Sequence, residues 1–115
     1  MKMRKITDAA TALNKLSAME LPLKTAYKLS KLKTSFDKEL SFFEEKRAAI
    51  IEKYINKENQ TFTPENERKA VSEITELLEF EVDAEFEPVR ISETDDIKLS
   101  ANDITALAGF VTFKE

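Results

Sequence analysis

The fold is decided by residues 22–56, which read PLKTAYKLSKLKTSFDKELSFFEEKRAAIIEKYIN. After Pro22 this stretch contains no glycine or proline, the two residues that most often interrupt a helix. Its apolar side chains recur at steps of three, four or seven residues. Four of them fall at strict heptad spacing: Leu29, Phe36, Phe43 and Ile50. The spacing predicts a helix about 50 Å long with one apolar stripe. That stripe needs a helical partner, either the chain's own third helix or another subunit.

The third helix of the chain is predicted at residues 64–79. Thr63 can cap it, Pro64 suits the first helical position, and Glu65 places a negative charge in the first turn. Residues 57–62 are predicted to form a loop, after which this helix returns antiparallel to the long helix of residues 22–56. The two helices together form a predicted helical hairpin.

A short helix is predicted near the end of the chain, at residues 100–107. Ser100 and Asp103 resemble a capping box, in which two side chains and two backbone N–H groups bond reciprocally. Gly109 can end this helix in a left-handed conformation. Residues 110–113 then form a last strand or docking segment.

Strands are predicted on either side of the hairpin. Residues 2–6 mix polar and apolar side chains over a stretch too short to indicate a helix, and we predict an edge strand there; Thr7 or Asp8 can then cap a first helix. Residues 80–91 change to a two-residue period, with acidic side chains facing solvent and Phe, Val and Ile facing the helices. Residues 97–99 are a further brief strand.

The predicted architecture is a single α+β domain that is mostly helical. The helical hairpin spans residues 22–79, and a small β/α cap is formed by residues 1–21 and 80–115. The predicted core contains Leu13, Leu16, Leu29, Leu32, Phe36, Leu40, Phe43, Ile50, Tyr54, Val71, Ile74, Leu78, Phe80, Val82, Ile104 and Leu107.

The composition argues against catalysis. The chain contains no histidine and no cysteine, so the commonest general base, the commonest transition-metal ligand and any thiolate site are excluded. A glycine-rich phosphate loop cannot form with one glycine. Ser92 and the oxygen-rich residues up to 96, read as a turn, lack the spacing of a calcium loop. We therefore predict a protein that is not an enzyme and has no catalytic residue, metal or cofactor.

Charge divides the chain into a basic and an acidic part. Residues 1–38 carry nine Lys and Arg against three acids, whereas residues 39–115 carry nine against nineteen. One interpretation is that the two parts face each other within the fold or across a homo-oligomer. The other is that one of them docks a charged partner.

Nucleic acid and membrane are weaker candidates as partners. Lys24, Lys28 and Lys31 share one helix face and could neutralise phosphates, but the acidic half of the chain would repel a polyanion. The same acidic half disfavours a membrane surface, and no apolar run approaches the roughly 20 residues that span a bilayer. No signal-peptide apolar stretch follows the basic start, which favours the cytoplasm.

The order of these segments resembles a family of small uncharacterised proteins of tailed bacteriophages of Gram-positive hosts. The similarity lies in Ala-Leu-Asn-Lys-Leu (residues 12–16), Glu-Leu-Pro-Leu-Lys-Thr-Ala-Tyr-Lys-Leu (residues 20–29), the long charged helix, and Leu-Ser-Ala-Asn-Asp-Ile-Thr-Ala-Leu (residues 99–107). The family has no assigned activity. The resemblance implies a phage protein in the host cytoplasm or associated with the virion.

The predicted function is protein–protein binding, by a homo-oligomer that serves as a minor assembly or virion-associated accessory subunit. The alternative is an inhibitor of a host defence protein, whose acidic surface mimics nucleic acid. Phe36 and Phe43 belong to the core unless they stay half-exposed, in which case they would contact the partner. The candidate partner-binding residues are Phe36, Phe43, Tyr54, Phe62, Glu81, Asp83 and Glu85.

Overall fold

The computed structural model describes residues 1–92 and 97–114 of the chain. In chain order the elements are α1 (Met3–Ser17), α2 (Leu23–Tyr54), α3 (Pro64–Leu78), β1 (Val89–Ser92), α4 (Ala101–Ala106) and β2 (Val111–Lys114). The molecule measures 53 × 27 × 21 Å. The fold is α+β and mostly helical, as the sequence predicts.

The long helix α2 dominates the molecule. It contains 32 residues, a length of about 48 Å, and it begins and ends within two residues of the predicted bounds. Three of the four heptad positions are buried, and Ile50 is half-buried. α1, α3 and β1 all contact this helix. The apolar stripe is therefore covered within the chain along much of its length.

Helix ends follow the predicted capping patterns. The Thr63 hydroxyl accepts a hydrogen bond from the backbone N–H of Asn66 at 3.2 Å, and α3 begins at Pro64. Ser100 and Asp103 form both bonds of a capping box at the start of α4. Gly109 has a φ of 89°, in the left-handed region that favours glycine.

The predicted strand at residues 2–6 is wrong, because α1 begins at Met3. Its apolar positions Met3 and Ile6 continue, at steps of three or four, into the stripe of the first helix, and both side chains are fully buried. Thr7 and Asp8 consequently lie inside the helix, and neither caps it. The Met3 N–H instead donates to the Phe80 carbonyl oxygen at 2.9 Å.

The sheet is smaller than predicted. β1 and β2 pair in parallel, with Val89 opposite Val111, and they are joined through α4. Residues 82–88 are extended but form no ladder, and residues 97–99 are not a strand. Pro88 offers no backbone N–H for a ladder, which limits pairing before β1. The predicted alternation of side chains nevertheless holds, since Val82 is buried and the neighbouring acids are exposed.

The core lies where α1, the N-terminal half of α2 and the small sheet meet. Of the predicted core, Leu40, Ile50, Tyr54, Ile74 and Leu78 are half-buried, while Val71, Phe80 and Ile104 are exposed. Nine buried residues were absent from the predicted core: Met3, Ile6, Ala9, Ala12, Ala70, Val89, Ile91, Phe110 and Val111. Most of these belong to α1 or to the sheet. Met3 and Ile6 were missed because residues 2–6 were predicted as a strand. The sheet residues were missed because β1 and β2 pair although they are separated in the sequence.

Candidate protein-binding surface

Two of the predicted partner-binding residues lie in the core. Phe36 is 1% exposed and Phe43 is 7% exposed. The ring of Phe36 lies 5.0 Å from that of Phe86 and 4.8 Å from that of Phe110, measured between centroids. Burial of both phenylalanines leaves neither side chain accessible to a partner in this conformation.

The hairpin turn holds the next two predicted residues, Tyr54 and Phe62, and both are half-buried. An isolated antiparallel bridge between Asn56 and Thr61 closes the turn. The Asn66 side-chain amide also donates to the Tyr54 carbonyl oxygen at 3.2 Å. The turn is thus tied to both helices, and its aromatic rings offer little free area.

Glu73 lies beside the end of α2. The Tyr54 hydroxyl and the Lys53 ammonium, which is 3.2 Å from the carboxylate, lower the pKa of Glu73 although burial opposes the shift. This contact joins the end of α2 to α3.

The predicted acidic residues Glu81, Asp83 and Glu85 are all exposed, along one extended segment. Glu81 pairs with the N-terminal ammonium of Met1 at 2.9 Å. Asp83 and Glu85 form no ion pair with any other described residue. The structure therefore brings the three acids to one edge, with two of them uncompensated there.

Other acids compensate the basic N-terminal region directly. Glu79 accepts from Lys2 at 2.5 Å and from Arg4 at 3.0 Å, and these hydrogen bonds lower the pKa of Glu79. Lys15 pairs with Asp103 at 3.2 Å. The interpretation that the two charged parts face each other within the fold is confirmed for these pairs.

An exposed aromatic pair was missed by the sequence analysis. Phe42 is 38% exposed and Phe80 is 51% exposed, and their ring centroids are 6.1 Å apart. The Lys46 ammonium lies 5.7 Å from the Phe42 ring. The predicted core included Phe80 and passed over Phe42. The available signal was that Phe42 precedes the heptad position Phe43 by one residue, which turns its side chain about 100° away from the stripe.

This pair lies in a groove of about 460 Å³ between α2 and α3. Its remaining apolar lining comes from Ala49, Ile50 and Leu77, and its polar lining consists of Lys46, Lys53, Glu73 and Glu76. We call it the hairpin groove. An apolar centre with charged borders is the usual composition of a protein contact surface.

A second groove, of about 570 Å³, lies beside the N-terminal half of α2. Lys24, Lys28 and Lys31 line one wall, and residues 85–89 form the other. The Lys31 ammonium lies 5.2 Å from the ring of Tyr27, which is exposed. None of these three lysines forms an ion pair with another described residue. We call it the lysine groove.

Among residues 1–92 and 97–114, no group of three or more Asp and Glu side chains is placed to hold a metal ion. In the same part of the chain, no helix is long and apolar enough to cross a membrane. Residues 93–96, which include most of the oxygen-rich turn, lie outside the described residues.

A comparison with known protein families, with curated proteins and with solved structures finds no match to this chain.

Proposed function

We propose that this chain is a non-enzymatic protein-binding subunit that self-associates through the hairpin groove. In the bacteriophage setting that the sequence resemblance implies, it would serve as a minor assembly or virion-associated accessory subunit. The observation that carries the proposal is the exposed pair Phe42 and Phe80, placed together at the surface of the helical hairpin.

Exposed aromatic pairs are costly for a protein that stays free in water. A buried aromatic side chain removes 150–250 Å² from water in general, and aromatic residues dominate the energetics of protein interfaces. Phe42 and Phe80 already touch each other, so a partner that covers one covers both. Their rigid rings also lose little conformational entropy on binding. These properties support a contact surface at this position.

A second copy of the chain is a suitable partner for this groove. Two antiparallel hairpins that meet through their apolar faces form a four-helix arrangement, one of the common ways in which helices bury such faces. The borders of the groove carry both signs of charge, from Lys46 on α2 and Glu76 on α3. A surface with both signs can match itself when the copies are related by two-fold symmetry.

The test is the solution mass, measured by light scattering over about a hundredfold range of protein concentration. We expect the wild-type protein to associate as concentration rises, and the double variant F42D/F80D to remain monomeric. V71D is the matched control, because Val71 is 57% exposed on another face of α3 and lines neither groove. Circular dichroism checks that both variants stay folded like the wild type.

Two results contradict the proposal. One is a wild-type protein that stays monomeric across the whole range. The other is a folded F42D/F80D variant that associates as strongly as the wild type.

A second candidate function rests on the acidic side of residues 81–87. Asp83, Glu85 and Glu87 are exposed and form no ion pair within the described residues, so this side could occupy a basic cleft of a host protein. Such an inhibitor would form a complex of defined stoichiometry that weakens with salt and with D83N/E85Q/E87Q. The F42D/F80D variant would retain that activity, which separates the two candidates.

A further inference from the structure

The two grooves share one wall, which is a single face of α2. Six lysines lie along it at steps of three to eight residues: Lys24, Lys28, Lys31, Lys38, Lys46 and Lys53. At 100° per residue they fall within an arc of about 80°, over a length of about 44 Å. We call them the lysine stripe. Of the six, only Lys53 forms an ion pair within the described part of the chain.

The opposite wall is acidic along the same length. Glu73 and Glu76 border the hairpin groove, and Glu85 and Glu87 border the lysine groove. We call these four residues the acidic edge. α3 runs antiparallel to α2, and the chain continues in that direction as far as Phe86, which contacts Phe36. The acidic edge therefore follows the lysine stripe from one groove to the next.

Apolar side chains lie between the two charged borders. In the hairpin groove they include Phe42, Leu77 and Phe80, and in the lysine groove Leu32, Phe86 and Val89. This face of the molecule thus has a positive long side, an apolar middle and a negative long side. Any partner that covers it must offer the same pattern in reverse.

We infer that the partner is a second copy of this chain, related by a two-fold axis that runs along the grooves, so that the two α2 helices are parallel. Rotation about such an axis keeps the direction of α2 and exchanges the two long sides. Each lysine stripe then faces the acidic edge of the other copy, at the same height along the helix. This inference rests on the proposed self-association and specifies its symmetry and its charge pairing.

The charge pattern favours this arrangement over the other two-fold arrangement in which the same two faces meet. An axis across the grooves would make the α2 helices antiparallel and would place lysine stripe on lysine stripe and acidic edge on acidic edge. Like charges that face each other across an interface are strongly unfavourable. A nucleic acid that followed the lysine stripe would likewise run beside Glu85 and Glu87, which repel phosphate.

Charge reversal tests the pairing. K28E/K46E reverses the charge at two positions of the lysine stripe, and E76K/E85K reverses the charge at the two positions of the acidic edge that line the same grooves. We expect each double variant alone to associate about tenfold or more weakly than the wild type. An equimolar mixture should form a one-to-one heterodimer, because each variant then faces the opposite charge. R68E and E67K are the controls, since Arg68 and Glu67 are exposed and line neither groove.

Cysteine pairing tests the orientation. The chain has no native cysteine, so K46C and E76C introduce a single thiol each. In the parallel arrangement these positions meet between copies, and a mixture of the two variants should give a heterodisulfide faster than either variant gives a homodisulfide. Electrophoresis without reductant measures the yields. Faster homodisulfide formation would overturn the parallel arrangement.

The failure of this inference can be distinguished from failure of the proposed function. If F42D/F80D abolishes association while the charge-reversed variants associate normally and do not pair on mixing, the hairpin groove binds a second copy in another way and this inference is wrong. If the wild-type protein is monomeric at every concentration, both proposals are wrong. Mixing that restores association supports the two together.

Discussion

The ring of Phe36 meets the ring of Phe110 edge to face, with centroids 4.8 Å apart and planes inclined at 79°. Phe36 belongs to α2, whereas Phe110 lies in the turn that leads into β2. Phe86, from the extended segment, contacts both rings and completes a cluster of three. Three distant parts of the chain are therefore joined by one aromatic cluster.

Removal of either ring is expected to destabilise the fold strongly. F36A and F110A should each lower the free energy of unfolding by about 3–5 kcal/mol, because both side chains are fully buried and leave a cavity. A double-mutant cycle should give a coupling of about 0.5–1.5 kcal/mol for the edge-to-face pair. Urea unfolding measures both quantities. Additive effects in the double variant would show that the ring contact has no energy of its own.

The burial of Phe36 and Phe43 determines the effect of an aspartate substitution at either position. Phe36 and Phe43 were predicted as candidate partner-binding residues. If they lay at an interface, aspartate at either position would separate folded subunits. The structure places both rings in the core, so F36D is expected to unfold the chain rather than to separate folded subunits. Loss of the far-ultraviolet circular dichroism signal at 25 °C checks this. The exposed pair Phe42 and Phe80 is the appropriate target for an interface test.

The helices of the hairpin were predictable because their signals are local. A heptad stripe free of glycine and proline fixed α2, and the Thr63–Pro64 start fixed α3. The N-terminal strand was wrong for a physical reason. Five residues are too few to distinguish a strand from the first turn of a helix by their pattern, and the two apolar positions, Met3 and Ile6, are three residues apart, which is a helical step.

The candidate surface was only partly predictable. The acidic side of the extended segment follows from alternation, and the shared face of Lys24, Lys28 and Lys31 follows from helical spacing. The aromatic pair does not follow from either rule, because Phe42 and Phe80 are 38 positions apart and meet only when the end of α3 lies beside the middle of α2. The exposure of Phe80 is likewise a consequence of tertiary packing.

Gly109 should be sensitive to substitution because of its backbone conformation. Its φ of 89° is unfavourable for any residue with a Cβ atom, and we expect G109A to cost about 1–2 kcal/mol in unfolding free energy. G109N should cost less, since asparagine visits the left-handed region more readily. An added Cβ would lie 3.3 Å from the Lys5 ammonium, which can move aside. If K5A rescued G109A, steric contact rather than backbone strain would be responsible.

Removal of the side-chain cap of α3 should cause a moderate loss of unfolding free energy. The Thr63 hydroxyl satisfies the backbone N–H of Asn66, which otherwise has no helical partner, so T63A should lower the unfolding free energy by about 1 kcal/mol. T63S keeps the accepting oxygen and should retain most of that stability. Thermal or urea unfolding distinguishes the two variants, and equal losses for T63A and T63S would contradict the capping role.

Acid should weaken the contact between the N-terminus and the end of α3. Hydrogen bonds from Lys2 and Arg4 lower the pKa of Glu79 below its ordinary value, so the folded state binds a proton less readily than the unfolded chain. The resulting stability is fully present above the unfolded-state pKa, about 4.3 for glutamate, and is lost as the pH falls through the lower folded-state value. E79Q should therefore be less stable than the wild type at pH 7, and the difference should shrink below about pH 4. Urea midpoints between pH 7 and pH 3 measure this, with E67Q as a control at an exposed position without an ion pair among the described residues. A difference between E79Q and the wild type that stayed constant across this range would show that the ion pairs of Glu79 do not contribute to folding.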